Sequence, residues 1–152
     1  MPSNAATMAA MSAEVDAFGV AAVIATAQTV VEYNNQGGPG APPAPIDTGE
    51  LRGSVRLTIG APSSEPPDSP PFSLVTYADI ARAFQLGGFS LGDPVILSWI
   101  AEHAAIIDGG RRMGSRGMLG SEQAPDGWVE QDAEAAAATM RSWKFNPGGS
   151  PR

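Results

Sequence analysis

Residues 4 to 34 hold no proline, and a proline-rich stretch follows almost at once: of 14 prolines, only Pro2 precedes residue 39. Proline breaks a helix interior, so its absence over residues 4–34 leaves room for one long helix there. That stretch is rich in alanine, the best helix former. Val15, Phe18, Ala22, Ala25, Thr29 and Tyr33 fall on one stripe at helical spacing, and Val20, Ile24, Ala27 and Val31 on a second. Two stripes predict a helix covered on two sides, by its own sheet and by a neighbouring subunit. Asn34 and Asn35 before Gly37 and Gly38 end it, and "GGPGAPPAP", residues 37–45, reads as a linker.

The rest alternates short elements with long loops. "VRLTIG", 55–60, alternates apolar and polar residues and predicts a half-buried strand. "APSSEPPDSPPF" predicts an exposed proline-rich loop. "TYADIARAFQLGG", 76–88, predicts a short helix with Ile80, Phe84 and Tyr77 on one face. "PVILSWI" reads as a strand, "AEHAAIID" as one or two helical turns, and "DGWVEQ" as a third short strand. A C-terminal helix over 132–143 follows, with Asp132 as its N-cap. The expected class is α+β: a long N-terminal helix and a C-terminal helix packed on a small, mainly antiparallel sheet with long Gly/Pro-rich loops. Residues 1–145 form one domain, with the sheet body at 46–130, and 146–152 a loose tail.

Composition narrows the function classes. Net charge is −7, which disfavours free nucleic acid as the main partner. There is no cysteine and one histidine, so thiolate and histidine-cluster metal sites are excluded within one chain, and no cofactor is expected. No apolar run reads as long enough to span a membrane, and no basic region precedes the first apolar stretch, so a soluble protein without an export signal is expected.

Asp47-Thr48-Gly49 is the triplet that carries the catalytic aspartate of aspartic proteases. Those enzymes present paired carboxylates on loops after buried strands. Pro42, Pro43 and Pro45 forbid such a strand here. The better reading is punctuation: Asp47 caps a turn, Glu50 reaches back to its amide, and Gly49 allows a tight bend. Leu51 and Val55 then point inward, and Arg52 and Arg56 outward.

Taken in order, "PIDTGELRGSVRLTIGAP", "SWIAEHAAIIDGG" and "SEQAPDGWVEQDAEAAAA" resemble the phrases of the tail-completion, or head–tail joining, neck proteins of long-tailed bacteriophages. The match rests on the Asp47-Thr48-Gly49 phrase after a long helix, on Ala104, Ile107, Asp108 and Gly110, and on Gln123, Ala124, Pro125 and Gly127. His103 stands where the family usually has tyrosine, Trp128 replaces a methionine, and the loops at 62–71 and 111–119 are long. The resemblance implies a non-enzymatic virion protein in a homo-oligomeric ring, a hexamer by the sixfold symmetry of tails. It would join tail to head connector, made in the host cytoplasm and placed at the head–tail interface. A head-completion (stopper) or tail-terminator ring protein is the neighbouring reading.

Arg111, Arg112 and Arg116 lie in "GGRRMGSRGMLG", a glycine-rich stretch without the lysine and Ser/Thr of a nucleotide loop. It is expected to be mobile alone and to order against carboxylates of a partner ring, with Met118 packing beside them. Proximity of these arginines to packaged DNA is a second reading. Val20, Ile24 and Val31 are the expected subunit contact. From another class, a small hydrolytic or ligand-binding domain would use His103 with Glu102 and Asp108, though no nucleophile constellation accompanies them.

Overall fold

A computed structural model describes residues 1, 3–45, 49–110, 112–115, 117–120 and 126–144, with Arg112 described by its backbone. The fold is α+β. Its order is α1 (Asn4–Gln36), α2 (Glu50–Gly53), β1 (Val55–Ile59), α3 (Tyr77–Gly87), β2 (Val95–Trp99), α4 (Ala104–Asp108), β3 (Arg112–Gly114), β4 (Gly117–Leu119) and α5 (Trp128–Arg141).

Helix α1 runs 33 residues, about 50 Å at 1.5 Å per residue. The Ser3 side chain accepts from the Ala6 amide at its start, and Gly37, at φ 84°, donates to the Tyr33 carbonyl at its end. The linker at 37–45 packs against the body. Ala41 and Ala44 are buried, and the Ala44 amide donates to Asn34 O at 2.9 Å. The Arg52 Nε donates to Ala44 O at 2.6 Å, so Arg52 turns back to the linker instead of outward.

Strands β1 and β2 pair antiparallel, Val55 opposite Trp99 and Ile59 opposite Val95. A two-stranded sheet is marginal alone and needs a cover. Ala27 and Val31 of α1 and Ile80 and Phe84 of α3 supply it, buried with Val55 and joined by Val23, Ile24, Leu57 and Leu97. The predicted α3 forms with a full capping box: Thr76 N donates to Asp79 Oδ2 at 2.8 Å and Asp79 N to Thr76 Oγ1 at 3.2 Å. Tyr77, expected on the buried face, is exposed and donates its hydroxyl to Glu32. That bond, more than burial, pushes its pKa up to about 12.

A second cluster holds Ala44, Leu51, Ala101, Ala104 and Trp128, with Trp99 packed against both. Its centre corrects the expected third strand at 126–130. Trp128, Asp132 and Ala136 are all buried at a spacing of one helical turn, so this segment starts α5. Gly127 takes φ 67° at the N-cap position, and Asp132 lies inside the helix instead of capping it. Among the described residues, the sheet therefore has two strands, not three. The glycine-rich stretch is likewise not all loop, since β3 and β4 form a separate hairpin with Met113 opposite Met118.

The expectation of no membrane-length apolar run is also corrected. By length and composition, α1 is apolar enough to span, with an 18-residue window of mean hydropathy 1.6. Glu14 and Asp16 interrupt that stretch and hide it from a reading that seeks uncharged runs.

Candidate interaction surfaces

Helix α1 is two things along its length. From Ala27 on, it is core: Ala27, Val31 and Asn34 are buried. Val31 is 2% exposed and Ile24 packs on the same cluster, so much of this stripe is covered by the chain's own sheet. Val20 is half-buried. The C-terminal end of the other stripe meets α5 rather than the sheet: Tyr33 Oη and Thr139 Oγ1 are 2.9 Å apart, and Thr26, beside the stripe, has its Oγ1 3.0 Å from Met140 Sδ. From Asn4 to Ala17, every residue is exposed, including Met8, Met11 and Val15 at 71%, 62% and 56%. Helical spacing puts those three side chains on one stripe.

A groove of about 320 Å³ opens between α1, β2 and α5. Val23, Ala27 and Val30 form one wall, Leu97 and Trp99 the floor, and Val129 and Ala133 the other wall. Among the described residues, none that lines it is charged. The β3–β4 hairpin presents a second apolar surface, with Met113, Met118 and Leu119 exposed. Met118 thus stands where a partner could reach it. Arg111 and Arg116 lie outside the described residues, as do Asp47 and Thr48, so the proposed cap at Asp47 is not part of this description. Helix α2 starts at Glu50, after Gly49 at φ 82°.

Arg56, expected to point outward, pins the proline-rich loop. Its Nε donates to Glu65 Oε2 at 2.7 Å, and Nη2 to Ser69 O at 2.9 Å and Pro71 O at 3.2 Å. His103, Asp68, Glu102 and Ile106 line a cleft of about 250 Å³. Asp68 Oδ1 accepts from the Glu102 amide at 2.8 Å. Asp108 is not part of this cleft. Its Oδ1 accepts from the Val129 amide at 3.1 Å and its carbonyl from Gly127 N at 2.7 Å, which places a carboxylate at the N-terminus of α5.

Sequence reasoning missed one charged residue of the interior. Asp132 is 0% exposed, and among the described residues neither carboxylate oxygen has a hydrogen-bond partner. Burial pushes its pKa up to about 7. The signal was present as the i, i+4 spacing from Trp128, obscured by reading Trp128 as strand. Among the described residues, no three acidic or histidine side chains gather as a metal would need. Comparison with family models, with curated proteins and with solved structures finds no match to this chain.

Proposed function

We propose that this chain is a non-enzymatic structural subunit of a bacteriophage neck, one member of a ring that joins the tail to the head-side connector. The observation that carries the reading is the half of α1 that stands clear of the body with Met8, Met11 and Val15 exposed. A helix of that length is marginal in water without packing, so it is one side of an interface. The ordered phrases around Asp47-Thr48-Gly49, Ile107-Asp108 and Gln123-Ala124-Pro125 support the neck as the setting. The ring is cyclic and homo-oligomeric, with six subunits by the symmetry of tails.

The test is genetic. A stop codon in this reading frame should leave filled heads and finished tails that do not join, visible by electron microscopy and rescued by the chain in trans. Normal joined particles would refute the neck assignment.

One observation favours a second reading, a ligand-binding or hydrolytic domain: His103 and Glu102 line the same cleft as Asp68. Turnover in a general esterase, phosphatase and peptidase screen, lost on His103→Ala, would select it over the ring.

A further inference from the structure

We infer that the exposed half of α1 seats in the apolar groove between α1, β2 and α5 of a second copy of this chain. The inference rests on the proposed ring for its biological setting; the contact itself stands on the two surfaces. Both lie on one chain and match in chemistry. The stripe offers Met8, Met11 and Val15, and methionine adapts its shape to an irregular slot. The groove offers Val23, Val30, Leu97, Trp99 and Val129 without a charge.

The charges at the edges also match. Glu14 and Asp16 flank the stripe, on opposite sides by helical spacing. Arg141 and Lys144, both exposed, follow Met140 where it meets Thr26 at the groove. Neither forms an ion pair among the described residues. Reach is sufficient, because the stretch from Asn4 to Ala17 extends roughly 20 Å at helical rise.

A lipid surface fits less well. Interfacial membrane helices carry Lys and Arg on their polar face. The first basic residue of this chain is Arg52, and the exposed half-helix carries only acids. A donor stripe and an acceptor groove at different places on one chain make a head-to-tail contact. Repeated by a closing rotation, that contact generates a ring.

The full chain tests this by sedimentation and light scattering across concentration. Wild type should self-associate, more weakly at high salt as the rim ion pairs are screened. Met11→Asp and Ala133→Glu, both at exposed positions, should each give a folded monomer by circular dichroism. Mixed together, the two variants should form a one-to-one dimer, because the second chain's intact helix meets the first chain's intact groove. The dimer cannot grow, since its remaining pair of surfaces is blocked on both sides.

Four results would overturn the contact: a wild type monomeric at millimolar concentration, variants that still assemble, two monomeric variants that do not pair, or a wild-type monomer that binds phosphatidylglycerol–phosphatidylcholine vesicles through Met11. The neck assignment is read separately in particles. Assembly in solution with normal joining in the stop-codon mutant would remove the neck and leave the contact standing.

Discussion

Trp99 and Trp128 stand edge to face, ring centroids 5.5 Å apart at 87°, yet among the described residues only one indole N–H has a partner. Trp99 Nε1 donates to Asn34 Oδ1 at 2.8 Å, whereas Trp128 Nε1 is buried with no partner among them. The pair joins the two core clusters, and the Asn34 bond ties the end of α1 to β2. A buried polar group loses more when its partner is removed than the bond itself contributes.

Asn34→Ala therefore should destabilise the protein by about 1–3 kcal/mol, because it leaves the half-buried Trp99 N–H without its acceptor and removes the buried Asn34 side chain. Trp128→Phe removes a donor that is already stranded, so its cost should be set by lost packing alone. Urea unfolding of the two variants checks this. Equal stability of Asn34→Ala and wild type would mean that water reaches the Trp99 indole.

Arg56 holds the 62–71 loop through three carbonyl or carboxylate groups that lie in different directions. Arg56→Ala should cost on the order of 2 kcal/mol, since hydrogen bonds from a charged donor are the stronger kind. Arg56→Lys should recover only part, because an ammonium has no planar fork. Faster amide exchange at Asp68, whose amide donates to Ile100 O at 2.9 Å, should accompany both variants. Unchanged exchange there would show that the prolines alone fix the loop.

Asp108 marks the start of α5. Removing the carboxylate in Asp108→Ala should cost about 1 kcal/mol, the usual size of a helix cap, while Asp108→Asn keeps an acceptor for the Val129 amide and should cost less. Thermal unfolding ranks the two. If Asn is as damaging as Ala, the charge near the helix dipole matters more than the bond.

The elements that were legible in the sequence are those whose signal is local. The alanine-rich, proline-free stretch marks α1, the alternation in "VRLTIG" marks β1, and the spacing of Ile80 and Phe84 marks α3. What was not legible depends on contacts between distant segments. Trp128 reads as strand when its short segment is taken alone, and the Asp108 side chain that accepts from the Val129 amide at the start of the helix lies twenty-one residues back from Val129. The inner stripe of α1 gives no hint of whether its own sheet or a neighbour covers it. Met8 and Met11 carry the same helical signal as the buried residues, so their exposure could not be read from spacing.

Asp132 offers the last and most direct test of the core. Burial disfavours the charge and pushes its pKa up to about 7 in the folded chain, against 3.8 ordinarily, with no donor among the described residues to offset the loss. A raised folded pKa means that the native state holds a proton the unfolded chain has released. Below the unfolded value both states are protonated and the group imposes no charge penalty. As pH rises from about 4, the unfolded chain ionises first and stability falls by up to roughly 1.4 kcal/mol per pH unit. The loss levels off once the folded carboxyl ionises near 7, at a few kcal/mol in total. Asp132→Asn stays neutral throughout, so it should flatten the decline between pH 4 and 7 and be more stable than wild type at pH 8. Urea midpoints across that range decide it, and parallel pH profiles for the two proteins would mean that Asp132 is already ionised, and solvated, in the native state.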